Sequence, residues 1–313
     1  MPIRILADEV ASQIAAGEVV ERPASVVKEL VENALDAGAT LIEVQIEQAG
    51  RALIEVSDDG AGIPSEEMPL AVARHATSKL RTADDLFHIR SLGFRGEALA
   101  SVGSVARMVV ISRNRDSELG GKLVVEAGKS SGVEEVGVPV GTVITVENLF
   151  YNVPARLKFL KTDMTERNLI HQLVTRYAIA YPDIRFRLIS EGKQALQTNG
   201  SGNRREVFGQ LYGPDMARQM LEVSFQDGSM RVEGLISPVG LTRSNRKEMT
   251  FFVNGRWVQD SALSSALMQA YHTLLMVGRY PLVVLFVELD AEDVDVNVHP
   301  AKAEVRFRKP DMV

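Results

Sequence analysis

Residues 23–38 read PASVVKELVENALDAG, and this stretch organises the first part of the chain. Its apolar residues recur every three or four positions, which predicts the buried face of an α-helix; they are Val27, Leu30, Val31, Ala34 and Leu35. A second stripe, with the same period, holds Glu29, Glu32, Asn33 and Asp36. The helix is predicted to start at Pro23 or Ser25 and to stop at Ala37-Gly38. Taken alone, the polar stripe is typical of a solvent-exposed helix face.

Length and composition indicate a soluble chain of two domains. The 313 residues exceed the usual size of one domain, and 45% hydrophobic residues can fill two cores. The chain has no cysteine, which excludes disulfides, thiol nucleophiles and thiolate metal sites. No apolar run approaches the roughly 18 residues of a membrane helix, and the N-terminus lacks the apolar core of a signal peptide. We therefore expect a cytoplasmic protein without membrane contact.

Charge and histidine spacing exclude two further classes of protein. The formal net charge of -6 argues against a globally basic nucleic-acid binder. Residues 242–247 and 306–309 are short basic clusters, for which a solvated turn and a local nucleic-acid contact are both open. None of the five histidines has ligand spacing, so a zinc enzyme is not expected. Residues 293–299 alternate polar side chains with valine, which favours an exposed strand face over a metal site.

The pattern along the chain predicts an α+β fold. Residues 41–48 and 51–58 alternate apolar and polar side chains, which indicates an antiparallel hairpin. A meander of short strands is predicted next, then a helix that buries residues 170–178 and a last hairpin; the strands are 105–112, 122–127, 131–136 and 141–148. A polar, glycine-rich linker at 198–203 separates a first domain, 1–200, from a βββαββ domain, 204–313.

Two glycine-bearing segments suggest ligand contacts. Asp58-x-Gly60-x-Gly62 follows a strand, where a carboxylate can accept a hydrogen bond from an exocyclic amine while the backbone lies against a flat ring. A simple turn is the alternative. Residues 93–99 form a loop that runs into a helix, and amides at a helix start bind phosphate. This loop matches neither the G-x-x-x-x-G-K-[ST] phosphate loop nor a dinucleotide fingerprint.

In this order the motifs resemble one family of ATPases. Glu29-x-x-x-Asn33, Asp58-x-Gly60-x-Gly62, the loop 93–99 and Gly141-Thr142 resemble the nucleotide-binding motifs of the gyrase, chaperone, histidine-kinase and MutL (GHKL) superfamily. The wording of four longer segments is similar to the N-terminal ATPase region of the MutL family of DNA mismatch repair proteins; they are residues 13–23, 76–79, 93–99 and 297–302. The resemblance covers essentially the whole chain.

The resemblance implies roles for individual residues. Glu29 would be the general base that activates water, and Asn33 would hold Mg²⁺. Asp58 would receive the adenine amine of ATP, with Gly62 and Thr142 beside it. The loop of Gly93, Phe94, Arg95, Gly96, Glu97, Ala98 and Leu99 would surround the phosphates, and Thr77, Ser78 and Lys79 would belong to a lid that orders when ATP binds. Lys302, from the second domain, would reach the γ-phosphate and act as a catalytic residue.

The resemblance also implies architecture and partners. The first domain would be a two-layer α/β sandwich with a mixed, largely antiparallel sheet, and the second would resemble domain 2 of ribosomal protein S5. Slow ATP hydrolysis would drive a conformational switch: ATP binding would make a homodimer through residues 1 to about 20 and close a clamp on DNA. Partners would be a mismatch-recognition protein and a downstream nuclease or helicase. Alternatives are a nucleotide-gated DNA-binding scaffold without significant turnover and another GHKL ATPase, such as a type II topoisomerase subunit.

Overall fold

The chain forms two compact units in the computed structural model, which describes residues 14, 16–17, 19–77, 79, 91–93, 96–295 and 305–308. The described residues up to Gly202 form the first unit, and those from Asn203 onward form the second. No helix in these ranges is long and apolar enough to cross a membrane.

Helix α1, Pro23–Asp36, is the central helix of the first unit. It buries Val26, Val27, Leu30, Val31 and Ala34, whereas Leu35 is half-buried, so the predicted apolar face is confirmed except at Leu35 and also includes Val26. The helix ends where the Ala37 amide donates to the Asn33 carbonyl at 2.9 Å and Gly38 takes a φ of 70°. The predicted start at Pro23 and stop at Ala37-Gly38 are confirmed.

A nine-stranded mixed sheet forms one layer of the first unit. Its strands are β1 (Leu41–Glu47), β2 (Leu53–Asp58), β3 (Arg107–Arg113), β4 (Gly120–Glu126), β5 (Lys129–Ser130), β6 (Glu134–Val136), β7 (Gly141–Glu147), β8 (Arg185–Ser190) and β9 (Lys193–Gln197). The order is β5-β4-β3-β7-β2-β1-β8-β9, with β6 also on β4. Only the β1–β8 pair among these strands is parallel. The sheet is therefore mixed and largely antiparallel, as predicted.

The predicted meander is wrong in three details. Strand β7 lies between β3 and β2 instead of beside the strand predicted at residues 131–136. The strand predicted at residues 131–136 is two short strands, β5 and β6, and Val105 ends a helix instead of starting a strand. Periodicity locates strands but not their neighbours, because pairing depends on contacts distant in sequence.

The helices of this unit are α1, α2 (Met68–Ala71), α3 (Ala98–Val105), α4 (Pro154–Phe159) and α5 (Asp163–Ala180). All except α4 bury side chains and contact strands of the sheet. Alternate residues of β1, Ile42, Val44 and Ile46, are fully buried, which is the pattern of a sheet packed on one side. The predicted stripe of α5, from Ile170 to Ala178, is buried and packs on α1. The unit is thus a two-layer α/β sandwich.

The second unit is a smaller α+β fold. Its elements are α6 (Arg204–Tyr212), α7 (Pro214–Gln219), β10 (Leu221–Asp227), β11 (Met230–Ile236), β12 (Thr242–Arg243), β13 (Met249–Val253), β14 (Arg256–Val258), α8 (Ser261–Ala270), β15 (Tyr280–Pro281), β16 (Val283–Glu288), β17 (Val294–Asp295) and β18 (Arg306–Phe307). The main sheet has the order β10-β11-β16-β13-β14, and α8 packs on it through Leu263 and Leu267. The sequence predicted the long strands and a strand that includes β17, and it missed α7, β12, β14 and β15.

The segment predicted as a linker is anchored. Thr198 is buried, and its hydroxyl accepts a hydrogen bond from the Phe186 amide at 3.0 Å. The Gly202 amide donates to the Pro182 carbonyl, also at 3.0 Å. Asn203 then caps α6, since its side chain accepts from the Glu206 amide at 3.1 Å. The glycine-rich composition of residues 198–203 therefore reflects tight turns.

Candidate functional site

The turn after β2 is hydrogen-bonded to the end of α1. The Ala61 amide donates to the Ala37 carbonyl at 2.9 Å, at the C-terminus of the helix. Inside the turn, the Gly60 amide donates to Asp58 Oδ1 at 2.9 Å. This pair of contacts fixes the Asp58 carboxyl beside the last turn of the helix that carries Glu29 and Asn33.

Two adjacent carboxyls in this turn have opposite electrostatics. Burial raises the pKa of Asp58 to about 6, against the opposing hydrogen bond from Gly60. Burial also acts to raise the pKa of Asp59, but hydrogen bonds from Thr40 and Leu41 outweigh it and lower that pKa. Asp59 accepts from Thr40 N, Thr40 Oγ1 and Leu41 N at 2.7, 2.6 and 2.8 Å. Asp59 is thus a structural anchor, whereas Asp58 is a ligand candidate.

Thr142 lies opposite Asp58, because the two residues pair across β2 and β7. Ser112 on β3 joins them: its hydroxyl is 2.9 Å from Thr142 Oγ1 and 2.9 Å from the Gly141 carbonyl, to which it donates. The Ile63 amide donates to Ser112 Oγ at 2.8 Å. Ser112 was not predicted as a site residue, because its contact with Thr142 depends on the pairing of β3 with β7, which the sequence does not predict.

Two glycines keep the backbone close together in this region. Gly62 has a φ of 72°, and a Cβ on it would lie 2.0 Å from the Arg113 carbonyl oxygen. Gly141 has a φ of 123°, and a Cβ there would lie 2.1 Å from the Asp58 carbonyl oxygen. A side chain at either position would collide with that backbone. The backbone is therefore closely packed beside Asp58 and Thr142.

The polar face of α1 binds two loops through Asp36. Its carboxylate accepts hydrogen bonds from the Leu92 and Gly93 amides at 2.9 and 3.0 Å. Lys79 Nζ lies 2.6 Å from Asp36 Oδ2 and 3.1 Å from Asn33 Oδ1. The sequence did not predict a role for Asp36. In the structure, Asp36 binds the segment at Lys79 and the start of the loop at Gly93 to the helix.

The oxygen pair of Asn33 and Asp36 suits a small cation. An amide oxygen and a carboxylate oxygen are the ligand types that Mg²⁺ prefers, together with water and substrate phosphates. Here both oxygens accept the ammonium of Lys79. The oxygen of Asn33, the predicted magnesium ligand, is thus of a type that fits Mg²⁺ and has a second oxygen ligand type beside it in Asp36, and the Lys79 ammonium would compete with a cation for both.

The loop before α3 meets the residues near position 77. Glu97 Oε1 lies 2.9 Å from His75 Nδ1, and a Cβ on Gly96 would lie 2.4 Å from the Ala76 carbonyl oxygen. The Lys79 amide donates to Thr77 Oγ1 at 3.1 Å. Helix α3 begins at Ala98, as predicted, and the Leu99 side chain is buried. Leu99 can thus offer a ligand only its backbone.

Glu29 lies one turn before Asn33 on the same helix. Its side chain is 12% exposed, and Lys28 Nζ lies 3.5 Å from Glu29 Oε1. Glu32, on the same polar stripe, is buried and accepts a hydrogen bond from the Tyr177 hydroxyl at 2.6 Å. The polar stripe of α1 thus contains one partly accessible carboxylate, Glu29, and one buried carboxylate with a structural contact, Glu32.

Two family models match this chain. Residues 21–143 match the family described as histidine kinase-, DNA gyrase B- and HSP90-like ATPase, and residues 208–313 match the C-terminal domain of DNA mismatch repair protein. The MutL protein of Geobacillus kaustophilus is 50% identical over 307 residues, which are 98% of this chain and 49% of that protein. For Streptococcus equi subsp. equi MutL, the identity is 47% over 304 residues, 97% of this chain and 46% of that protein.

The chain spans about half the length of these relatives. A solved structure, the Aquifex aeolicus MutL ATPase domain complexed with ADP, is 32% identical and has a TM-score of 0.67 over 87% of this chain and 93% of that one. This chain belongs to the MutL family of DNA mismatch repair proteins. It carries the GHKL-type ATPase domain of that family.

The fold agrees with the MutL assignment. The crystal structure of the N-terminal domain of a DNA repair protein has a TM-score of 0.83 at 28% identity, and covers 96% of this chain and 93% of that one. The mixed α/β fold predicted from the sequence is therefore confirmed as that of MutL ATPase domains.

Some residues suggested by the MutL resemblance cannot be placed. Ser78, Phe94, Arg95 and Lys302 lie outside the described residues, as do most of residues 1–20 and the end of the 293–299 segment. The basic cluster at 242–247 is described, and its Arg246 and Lys247 are exposed.

Proposed function

We propose that this chain is the ATPase region of a DNA mismatch repair protein that binds ATP with Mg²⁺ and hydrolyses it slowly as a conformational switch. One observation carries the proposal: the Asp58 turn, Glu29 and the Asn33–Asp36 cation site are all fixed to helix α1. A base-binding carboxyl, a water-activating carboxylate and a metal ligand fixed to one helix would hold the reacting groups in a constant arrangement.

Asp58 would accept the exocyclic amine of adenine. Its carboxylate is preorganised by the Gly60 amide, and at pH above about 6 it is ionised. Thr142, held by Ser112, would support it, and the backbone at Gly62 and Gly141 would lie against the ring. The carboxyl gives specificity, because it accepts from an amine and would repel a carbonyl at the same position.

Asn33, with Asp36 nearby, would hold Mg²⁺, which supplies positive charge that neutralises the phosphates. Lys79 would then leave Asn33, and this exchange would move the lid segment that carries Thr77. Backbone amides from Gly93 to Leu99 at the start of α3 would bind phosphate oxygens. Roles for Ser78, Phe94, Arg95 and Lys302 stay predictions.

Glu29 would act as general base for the attacking water. A partly accessible carboxylate one helical turn from Asn33 can face a water molecule beside the metal-bound phosphates. A binding scaffold without turnover has no use for this group. A measurement of the rate of phosphate release distinguishes this alternative from an ATPase.

We further propose the partners that the family suggests: DNA, a second copy of the chain when ATP is bound, a mismatch-recognition protein and a downstream nuclease or helicase, in the cytoplasm. Exposed basic residues near β12 and β15 support a DNA contact. They are Arg246, Lys247 and Arg279, with Arg279 Nε donating to Thr242 Oγ1 at 2.8 Å. Phosphate contacts there would make the affinity for DNA depend on salt concentration.

The test compares Glu29→Ala with Glu21→Ala, an exposed carboxylate ahead of the same helix. Glu29→Ala should bind a non-hydrolysable ATP analogue with wild-type affinity in calorimetry and lose about 10² to 10⁴ in the rate of phosphate release. Glu21→Ala should retain both properties. Full turnover in Glu29→Ala refutes the proposed base, and no phosphate release by the wild-type chain favours the scaffold.

A further inference from the structure

Lys28 lies next to the proposed base and is buried. Its side chain is 11% exposed, which is unusual for a lysine. Its ammonium lies 3.1 Å from Glu32 Oε1 and 3.5 Å from Glu29 Oε1. The lysine thus donates to two carboxylates of α1 at once, and one of them is the carboxylate proposed to activate water.

The second carboxylate is fixed from the neighbouring helix. The Tyr177 hydroxyl, on α5, donates to Glu32 Oε1 at 2.6 Å, and both residues are buried. Tyr177 also stacks on Tyr181, with ring centroids 6.3 Å apart. Side chains of α5 therefore set the position of Glu32, Glu32 sets that of the Lys28 ammonium, and the ammonium contacts Glu29.

The charges in this chain of contacts are well defined. Burial acts to lower the pKa of Lys28, but Glu32 and Glu29 outweigh it and raise that pKa, so the lysine is cationic. Burial, and then the charge of Glu32, raise the pKa of Tyr177 well above its usual range, so its hydroxyl stays a donor. Apolar side chains would fill the same space without the solvation cost of burying ions. Packing alone therefore does not explain these charged residues.

We propose that Lys28 is a positioning residue for Glu29, held by Glu32 and Tyr177, and that it orients the Glu29 carboxylate for attack by water on the nucleotide. The inference rests on the proposed role of Glu29 as the base. Lys28 touches neither substrate nor metal in this scheme. Its ammonium restricts the carboxylate to one orientation, and misorientation of a base by about 1 Å can cost on the order of 10² in rate.

The test separates catalysis from nucleotide binding. Lys28→Gln should lower the single-turnover rate of ATP hydrolysis about tenfold or more, with the Kd of a non-hydrolysable ATP analogue within about twofold of wild type. Lys28→Gln leaves Glu32 charged and buried, which threatens folding. The double variant Lys28→Gln/Glu32→Gln removes one charge of each sign and keeps the Tyr177 hydrogen bond, so it should fold and remain slow.

A wild-type rate in the double variant overturns the proposal, as does a parallel loss of affinity and rate. If neither glutamine variant folds, Tyr177→Phe decides. Loss of its hydroxyl should slow hydrolysis about threefold or more at unchanged affinity, and an unchanged rate overturns the inference. Tyr271→Phe is the matched control, because this buried hydroxyl donates to the Ser237 carbonyl at 2.6 Å in the second unit. Turnover retained by Glu29→Ala would instead refute the proposed function itself.

Discussion

Replacing Asp58 by asparagine should stabilise the first unit at neutral pH while it weakens ATP binding. The folded chain holds the pKa of this carboxyl at about 6, against an ordinary 3.8. As pH rises between these values, the unfolded chain loses its proton before the folded chain does, so ionisation penalises folding and the penalty is complete above about pH 6. At about 1.4 kcal/mol per pH unit the shift gives about 3 kcal/mol, which solvent screening reduces to about 2.

The asparagine keeps an oxygen that can accept from the Gly60 amide, so the change isolates the charge. About 2 kcal/mol corresponds to a rise in Tm of roughly 4 to 8 °C for a domain of this size. Thermal unfolding by far-UV circular dichroism at pH 8 should show this rise, and the difference should vanish near pH 4. Trp257, the only tryptophan, lies in the second unit, so its fluorescence reports a transition that should not shift.

Asp59→Asn is the matched control, because it should behave in the opposite way. Hydrogen bonds from Thr40 and Leu41 lower the pKa of Asp59, so its ionised form stabilises the fold above its unfolded pKa, and this stability is lost as pH falls through the folded pKa. Asp59→Asn should therefore lower Tm at pH 8. An Asp58→Asn variant that melts at or below the wild-type temperature at pH 8 would contradict the electrostatic argument.

Three other variants or conditions test the site. Gly141→Ala should lower the Tm of the first unit by more than about 5 °C, because its Cβ would lie 2.1 Å from the Asp58 carbonyl oxygen; an unchanged Tm would refute this packing. Lys79→Met should lower the Mg²⁺ concentration needed for half-maximal ATPase activity, since the ammonium no longer competes for Asn33; a higher requirement would contradict the competition. A non-hydrolysable ATP analogue with Mg²⁺ should increase the sedimentation coefficient, and an unchanged value would count against ATP-dependent dimerisation.

The sequence predicted those elements whose side-chain pattern lies within one continuous segment. The apolar period of α1, the hairpin of β1 and β2 and the stripe of α5 follow from side chains three, four or two positions apart. The insertion of β7 between β3 and β2 was not predictable, because it joins strands far apart in sequence. The short edge pieces β5 and β6 carry too few residues for a period to be visible.

The site shows the same limit. Motif spacing pointed to Glu29, Asn33 and Asp58; the structure places the first two on α1, and Asp58 at the end of β2, where the turn that follows is hydrogen-bonded to the end of α1. Residues that act through partners were missed: Lys28 reads as a solvated helix residue until Tyr177 is brought beside Glu32. Sequence therefore identifies groups that face a ligand more readily than the groups that hold them.

The hydrogen bond from the Ala61 amide to the Ala37 carbonyl has a consequence for motion. It fixes the Asp58 turn to the C-terminus of α1, so under the proposed function the distance between the adenine-binding carboxyl and the Glu29 base would stay constant through a cycle. The segments that would move are those attached to α1 by hydrogen bonds at Asp36, through Lys79 and the amides of Leu92 and Gly93. The contacts of Asp36 would thus break when these segments move, while α1 would stay in place.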